Sequence, residues 1–316
     1  MSSPTELPVR PTAVVVGGSR GLGLAVAREL DRRGHRLVLL ARDAEELERA
    51  AEQLSPGTAS YPCDVRDREA LVARLRLVEQ QAPIEVLVYV AGVISVAPAE
   101  EVSLADFDAC HEVMLRGMVD TVWTVLPAMR GRGRGRIGLV TSVGGRVPAP
   151  HLLPYTTAKF GAQGFGLGLA TELQGTGVTA TVFAPGLMRT GGHEHAEFQG
   201  DTDAEYSWFA TAAALPVVSA DADRAARKLV DGLLKGRPHV ELTPLARIGS
   251  RVAAVAPATT VRLTGLVDRV LPGPTDDDHR ETGRTIDRRQ HGPVMDPLLA
   301  LGRRAVRRHG NRDRPR

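Results

Sequence analysis

A serine, a tyrosine and a lysine in the middle of the chain have types and a spacing that suit proton transfer. In PYTTAKFG, Lys159 follows Tyr155 by one helical turn, and Ser142 precedes the tyrosine. The chain has four tyrosines and three lysines, so only about 0.04 Tyr-x-x-x-Lys pairs are expected by chance. A free tyrosine has a pKa of about 10, and an ammonium on the same helical face stabilises its phenolate. The spacing predicts a proton-transfer pair.

Short apolar runs that alternate with helical periodicity must position these residues. Buried strands are predicted in AVVVGG, HRLVLLAR, TASYPCDV, IEVLVYVAG, GRIGLVTSV and VTATVFAPG, and a long helical region over about Ser103 to Met129. Near-continuous apolar strands between helices indicate a parallel sheet that is covered on both faces. The sequence therefore predicts an α/β fold, a Rossmann-like doubly wound parallel sheet of about seven strands with helices on both faces.

Three parts of the chain are distinguished by composition. Residues 1–11 are predicted as a flexible N-terminus, 12–246 as the Rossmann-like domain and 247–316 as a C-terminal extension. Within the extension, RIGSRVAAVAPATTVRLTGLVDRVL predicts one or two helices that cap the substrate pocket, pack against a partner subunit or touch a membrane surface. The polar run after Pro272 predicts mobile chain.

The last fourteen residues, RRAVRRHGNRDRPR, hold seven arginines and one aspartate. Basic tails of this kind bind nucleic acid or anionic membranes in some proteins, but most are solvated and disordered. No aromatic residue interleaves with the arginines, so a disordered tail is the favoured interpretation over nucleic-acid or membrane contact.

Overall composition is typical of a soluble globular protein, with 43% hydrophobic and 24% charged residues. Cys63 and Cys110 lie in apolar contexts and are predicted to be reduced core thiols. No apolar run reaches the roughly 18–20 residues of a membrane span, and the N-terminus lacks the apolar segment of a secretory signal. A cytoplasmic protein is expected.

Two groups of residues contain potential metal ligands, but neither predicts a metal site. His193 and His195 form a His-x-His pair without a further nearby ligand set, and are predicted as solvent-facing loop residues. The aspartate run 276–278 lacks the spacing of a calcium loop and indicates solvated charge.

A glycine-rich loop follows the first predicted strand. VVVGGSRGLG places Gly17, Gly21 and Gly23 at the mouth of a helix, where backbone amides can approach a pyrophosphate and the helix N-terminus favours its charge. Arg42 follows the second strand, where an acid would bond the ribose 2′-hydroxyl of NAD, and Arg20 lies in the loop itself. Two guanidinium groups near the adenosine ribose suit a phosphate, so NADP(H) is preferred over NAD(H).

The chain resembles the short-chain dehydrogenase/reductase family in a set of motifs and in their order. These are GGSRGLG, CDV, Ser142, YTTAK and the Pro-Gly after the sixth strand. The similarity covers about Thr12 to Thr190 and extends more loosely to about residue 236. It implies hydride transfer between a nicotinamide and a ketone or secondary alcohol, with Tyr155 as general acid/base and Ser142 donating to the substrate oxygen. It also implies that Lys159 holds the nicotinamide ribose and that the protein forms a homodimer or homotetramer.

The resemblance further implies a cofactor site along the sheet edge. Asp64 and Val65 flank the adenine, Ala91 and Gly92 line the nicotinamide side, and the segment after the sixth strand contacts the carboxamide end, although a simple turn is the alternative for its Pro-Gly. The implied cofactor-binding residues are Gly17, Ser19, Arg20, Gly21, Leu22, Gly23, Arg42, Asp64, Val65, Ala91, Gly92, Tyr155, Lys159, Pro185, Gly186, Leu187 and Thr190.

Two positions depart from the family pattern. Tyr89 and Val90 stand where the family has two asparagines, and aligning HEVMLRG puts Met114 at the position of a catalytic asparagine that helps to hold a water of the proton relay. A thioether is a weak acceptor and does not replace an amide. Three alternatives follow. The proton relay is slower, another group anchors the water, or the protein is a catalytically silent nucleotide-binding regulatory or scaffold protein. The intact serine, tyrosine and lysine favour an active enzyme.

The segment 187–216 is where the family builds its substrate lid. Tyr206, Trp208 and Phe209 form the densest aromatic cluster of the chain. They either face an apolar substrate or pack the lid against the body. The sequence leaves a small polar ketone, a steroid-like or fatty acyl ketone and a polyketide intermediate open as substrates.

Overall fold

A central parallel sheet organises the computed structural model, which describes residues 10–214, 219–275 and 279–289. In chain order its strands are β1 (Thr12–Val16), β2 (Arg36–Ala41), β3 (Ala59–Pro62), β4 (Ile84–Tyr89), β5 (Ser95–Val96), β6 (Gly135–Val140), β7 (Val178–Ala184), β8 (Met188–Arg189), β9 (Glu197–Gln199), β10 (Ala220–Asp221), β11 (His239–Glu241) and β12 (Arg280–Thr282). The α-helices are α1 (Gly21–Arg32), α2 (Ala44–Ala51), α3 (Arg68–Gln81), α4 (Leu104–His111), α5 (Gly117–Arg132), α6 (Leu153–Glu172), α7 (Thr202–Ala214), α8 (Ala222–Leu234), α9 (Pro244–Val255), α10 (Pro257–Asp268) and α11 (Gly283–Arg289).

Seven of these strands form the main sheet in the order β11-β7-β6-β4-β1-β2-β3, and all of its pairings are parallel. Every residue of β1 is buried, because apolar TAVVV is covered on both faces. The chain order reverses at β1 and β4, and ligands of doubly wound sheets bind at the carboxyl ends of the strands beside such a switch point. The predicted doubly wound α/β fold is confirmed.

Helices cover the sheet in two layers. On one face α3, α5 and α6 enclose a core that includes Leu71, Met118 and Ala162. On the other face α1 packs against α8, with Leu30 and Leu229 fully buried between them. Both layers follow from helices whose apolar residues recur every three or four positions.

A third, smaller core lies beyond the carboxyl edge of the sheet, where β5, β9 and β12 form a separate three-stranded sheet. Phe198, Tyr206, Phe209 and Ile286 are among its buried members. Tyr206 and Phe209 therefore pack the lid, whereas Trp208 is only partly buried.

The prediction of mobile chain after Pro272 is wrong for the segment 280–289. Its first three residues pair antiparallel with β9, and Ile286 on α11 is fully buried. A three-residue strand whose partner lies about eighty positions away leaves no local pattern in the sequence. The predicted boundary after residue 246 falls inside α9, which runs from Pro244 to Val255.

The structure also bears on the cysteines, on membrane-spanning helices and on the charged segments near the C-terminus. Cys63 and Cys110 are free and buried, as predicted. Within the described ranges no helix combines the length and the apolar character that crossing a bilayer requires. The arginine-rich tail and the aspartate run 276–278 lie outside the described residues.

Candidate active site

After the carboxyl ends of β1 and β4, the backbones of Gly17 and Ala91 lie in close contact. Gly17 has φ +86°, and a Cβ on it would lie 2.6 Å from the amide nitrogen of Ala91. The Ala91 amide in turn donates to the carbonyl of Val16 at 3.1 Å. Only glycine fits this approach, so the loop after β1 is fixed against the segment that was predicted to line the nicotinamide side.

The start of α1 has the shape that a pyrophosphate requires. A Cβ on Gly23 would lie 1.9 Å from the carbonyl oxygen of Gly17, so the helix enters directly behind the loop. Arg20, at the N-cap, makes no side-chain capping bond, and the first turn holds no acid. The amides of this turn are therefore left for a ligand anion. The side chain of Leu22 is buried in the core, so only its backbone faces the loop.

An acid that sequence reasoning missed lies in the predicted ribose region. Arg20 donates to both carboxylate oxygens of Glu46 at 2.9 Å, and the Ser19 hydroxyl donates to the same carboxylate at 3.2 Å. Arg42, at the end of β2, is exposed. The two predicted arginines thus differ, because one is neutralised by Glu46 and the other is open to solvent.

At the end of β3, Asp64 is held by Arg66, whose guanidinium donates to the carboxylate at 2.7 Å. This bond lowers the pKa of Asp64 below its ordinary value, and the charge of Arg42 acts in the same direction. Val65 beside it is buried. The pair therefore lies at the same edge as the glycine loop, where the adenine was expected.

Ser142 and Tyr155 flank the short 3-10 turn after β6. The Gly144 amide donates to Ser142 Oγ at 3.0 Å. A Cβ on Gly144 would lie 3.4 Å from that oxygen and 3.3 Å from Cε1 of the Tyr155 ring. The structure therefore brings the predicted serine and tyrosine together, although thirteen positions separate them.

Lys159 points back beneath the tyrosine from the next turn of α6. Its Nζ donates to the carbonyl of Val140 at 3.1 Å and lies 5.7 Å from the centre of the Tyr155 ring. The side chain is buried. All three residues predicted as catalytic thus share one site at the carboxyl edge of β6.

Burial dominates the electrostatics of this site. It raises the pKa of the Tyr155 phenol, and a hydrogen bond with Ser142 opposes that shift. It lowers the pKa of Lys159 to about 8, so the ammonium keeps its charge at neutral pH. Cys110 lies close enough to influence both groups, and burial raises the pKa of its thiol to about 12. The lowered phenol pKa that the spacing predicted is therefore absent in the chain alone.

Met114 occupies the position behind the lysine that the alignment gave it. A Cβ on Gly92 would lie 3.6 Å from Met114 Sδ and 3.8 Å from Lys159 Nζ. Met114 is fully buried within a π-helical turn, Glu112–Arg116, that separates α4 from α5. Such turns leave α-helical hydrogen bonds unmade and are frequent at functional sites.

Tyr89, the other departure from the family pattern, supports this π-helical turn. Its buried hydroxyl donates to the carbonyl of Val113. Gly117 makes room for it, since a Cβ there would lie 2.6 Å from the hydroxyl oxygen. A phenol has replaced the amide and bonds the backbone directly beside Met114.

The segment after β7 closes the far side of the site. The Pro185 carbonyl accepts from the Val143 amide at 2.8 Å, next to Ser142, and the Leu187 carbonyl accepts from Ala220 at 2.9 Å. The Cβ of Thr190 lies 3.6 Å from the Cβ position of Gly21. The Cβ position of Gly186 lies 3.9 Å from Thr243 Oγ1, just before α9. The predicted carboxamide segment and the glycine loop therefore face one another.

A buried polar cluster between the catalytic turn and the lid was not predicted. His151 is the one non-glycine residue with positive φ (58°) among those described. Its Nδ1 lies 2.6 Å from the buried carboxylate of Glu205, which also accepts from Trp208 Nε1 at 2.6 Å. Its Nε2 lies 3.6 Å from Asp268 on α10. The strained backbone position joins the segment before Tyr155, the lid and the C-terminal helices.

The prediction of solvent-facing histidines is wrong for His193, which is buried with its ring 6.1 Å from that of Tyr206. His195 is only partly exposed. The 3-10 turn that carries them is covered by α11, which no local pattern predicts. No group of three or more potential metal ligands occurs in the described part of the chain.

Comparison with known proteins decides the family. The family model described as short chain dehydrogenase matches residues 11–199, more than half of the chain. The protein belongs to the short-chain dehydrogenase/reductase family. The matched range holds every predicted cofactor and catalytic residue and ends shortly before the lid helix α7. As a member of this family of oxidoreductases, the protein shares a fold that binds nicotinamide cofactors, and its relatives act on small molecules.

Individual relatives agree with this assignment. Gluconate 5-dehydrogenase of Gluconobacter oxydans is 34% identical over 56% of this chain and 71% of its own length. The NADP-dependent 3-hydroxy acid dehydrogenase of Salmonella typhi is 30% identical over 60% and 77%. Among solved structures, an actinorhodin polyketide ketoreductase with NADPH superposes with a TM-score of 0.65 at 26% identity, over 74% of this chain and 95% of that one.

Proposed function

We propose that the protein is an NADP(H)-dependent carbonyl reductase or alcohol dehydrogenase that interconverts a ketone and a secondary alcohol. The observation that carries this proposal is the arrangement of Tyr155 between the Ser142 hydroxyl and the buried ammonium of Lys159, at the edge of the sheet where the glycine loop opens. The bound cofactor supplies or accepts the hydride.

The chain's own residues handle the proton. Because burial raises its pKa, Tyr155 is protonated at neutral pH and can donate to the alkoxide that forms when a ketone is reduced. Ser142 Oγ already accepts from the Gly144 amide, which leaves its own proton for the substrate oxygen or the phenol. The ammonium of Lys159, fixed on the Val140 carbonyl, stabilises the phenolate that remains.

Preference for NADP(H) over NAD(H) rests on the arginines of the ribose region. Arg42 is exposed at the end of β2, where an acid would repel the 2′-phosphate, and Arg20 lies one loop away. A guanidinium fork grips a phosphate through paired hydrogen bonds. The NADP dependence in the name of the 3-hydroxy acid dehydrogenase and the NADPH of the ketoreductase structure support the same choice.

Replacing Tyr155 by phenylalanine tests the mechanism. The variant keeps the ring and loses the proton donor, so turnover should fall by roughly a thousandfold or more, toward the upper range of general acid catalysis. NADPH affinity, measured by cofactor fluorescence, should change by less than about twofold, because the glycine loop is untouched. Turnover equal to that of the wild type would refute the role of Tyr155.

A catalytically silent nucleotide-binding regulatory or scaffold protein is the second candidate, and the observation that favours it is Met114. Its buried thioether lies behind Lys159, where an amide would anchor a water. Met114→Asn should raise kcat by an order of magnitude or more if the relay is impaired, whereas an unchanged kcat would show that another group serves. Met129→Asn, which replaces a buried methionine remote from the lysine, is the matched control.

A homodimer or homotetramer, common among relatives, is proposed for the face formed by α5 and α6. Trp123 and Phe160 are large apolar side chains exposed there, at 60% and 44%. Gly164 and Gly168 leave open space beside α6, which permits close approach of a partner helix. Light scattering of the purified protein measures the assembly, and a monomer at micromolar concentration would contradict it.

A further inference from the structure

The helices α9 and α10 place their apolar stripes on the outside of the molecule. On α9, the positions Leu245, Ile248, Val252 and Val255 follow helical spacing, and each is at least 43% exposed. The opposite face of α9 buries only small residues, Ala246, Ser250 and Ala253. An amphipathic helix normally turns its large apolar residues to the core, and here that orientation is reversed.

The second helix continues the same surface. The exposed apolar residues of α10 and the residues just after it are Val261, Leu263, Leu266, Val267 and Val270, all at least half exposed. Thr260 is the one buried residue of α10. Together the two helices and Val270 carry nine of the thirteen large apolar side chains that are exposed in the described residues. A contiguous apolar surface of this kind marks an interaction site.

The α9–α10 segment (residues 244–270) is anchored at both ends, so this surface has a defined orientation. At its start Thr243 caps α9, and Arg247 lies 3.7 Å from Glu241 on β11. At its end, the carboxylate of Asp268 lies 3.6 Å from His151 Nε2. The anchors hold the small-residue face of α9 against the body and leave the apolar stripes outside.

The charge of the segment decides which partner fits. It carries four arginines and one aspartate. Arg262 and Arg269 are two helical turns apart on α10, so they share one flank of the stripe, and Arg251 lies beside the stripe on α9. All three are exposed and form no ion pair with the described residues. Two copies of such a surface would repel one another, whereas anionic headgroups would complement it.

We propose that the α9–α10 segment docks the protein on the surface of anionic lipid bilayers, with its apolar stripes inserted among the acyl chains and its arginines at the headgroups. A basic helix with a broad apolar face lies in the plane of a membrane interface in this manner. Arginine stems extend along apolar surface while the guanidinium stays in water, which suits the flank positions of Arg262 and Arg269.

Flotation of the full-length protein with vesicles tests the proposal. Phosphatidylcholine vesicles that contain phosphatidylglycerol should carry the protein upward, and vesicles of phosphatidylcholine alone should carry much less. The triple variant Leu263→Gln/Leu266→Gln/Val270→Gln should lower partitioning by roughly a thousandfold, because each inserted apolar side chain changes it about tenfold. Leu104→Gln, which alters an even more exposed leucine on α4, should leave partitioning unchanged.

A charge variant separates the two contributions. Arg262→Gln/Arg269→Gln should weaken binding to the anionic vesicles by roughly fivefold per arginine, and Arg130→Gln on α5 should not weaken it. Since all these positions are exposed, circular dichroism should be unchanged.

Three outcomes would overturn the proposal. The first is failure of the protein to float with either vesicle. The second is flotation of the triple variant equal to that of the wild type, which would assign binding to the basic tail. The third is an absence of vesicle binding together with a triple variant that light scattering shows to be dissociated from an oligomer. That result would make the surface a subunit interface. None of these outcomes depends on turnover, so they are distinct from a failure of the reductase proposal.

Discussion

The part of the chain that matches the family and the part that follows it are stabilised in different ways. In residues 11–199 the site is fixed by backbone approaches, such as Gly17 against Ala91 and Gly23 against Gly17. In residues 202–289 side-chain pairs hold the lid helix α7, which His151 joins to the body through Glu205 and Asp287 joins to α11 through Tyr206. The glycine loop is thus fixed by close backbone packing, whereas the lid depends on individual side-chain pairs.

The largest effect is expected where the backbone approach is closest. Gly23→Ala would place its Cβ 1.9 Å from the Gly17 carbonyl, so the loop must move. Such overpacking costs about 1–3 kcal/mol, and NADPH binding should weaken by roughly ten- to hundredfold. Fluorescence titration measures the binding. Gly265→Ala, at a helical glycine of α10 with open space around it, is the control and should bind NADPH normally.

An intermediate effect is expected from the lid, and it should appear in stability instead of cofactor binding. Glu205→Gln replaces a fully buried carboxylate that faces both His151 Nδ1 and the Trp208 indole. The amide has one accepting oxygen in place of two and loses the negative charge, so either the Trp208 N–H or the contact with His151 is left poorly matched, and the free energy of unfolding should fall by about 1–3 kcal/mol. Chemical denaturation measures it, with the exposed Glu48→Gln as control. A large loss of NADPH affinity in Glu205→Gln would break the distinction between the two parts.

The smallest effect concerns Glu46, whose carboxylate competes for Arg20. Glu46→Gln should strengthen NADPH binding about two- to fivefold, because an ion pair that is still partly exposed to solvent is worth roughly 0.2–1 kcal/mol. NADH affinity should stay the same, since the competition concerns the 2′-phosphate. The neighbouring Glu45→Gln is the matched control, because Glu45 is 84% exposed and faces Arg49. Equal changes for both cofactors would show that Arg20 does not contact the phosphate.

Sequence reasoning predicted the parts of the fold that local pattern determines. Apolar runs gave the strands around Tyr155, and the one-turn spacing placed Lys159 beneath it. Glu46 was missed because its contact with Arg20 depends on how α2 packs beside the glycine loop. The fit of Gly117 around Tyr89 was missed for the same reason, since each residue alone looks ordinary. Pairings of this kind arise from tertiary packing and leave no periodic signal.

The C-terminal part was predicted less well because its determinants are distant contacts. The polar sequence of β12 suggested mobile chain, yet three backbone pairs with β9 hold it. The periodic stripes of α9 and α10 predicted helices correctly. The sequence left three uses for those helices open, and the outward orientation of the stripes became visible only in the structure.

The most direct test of the central claim is titration of the purified protein with NADPH and NADH, followed by cofactor fluorescence, and then addition of a panel of ketones. The account predicts that NADPH binds more tightly than NADH, that at least one ketone oxidises it, and that Tyr155→Phe binds NADPH without oxidising it. Failure of both cofactors to bind would contradict the assignment of the glycine loop and everything built on it.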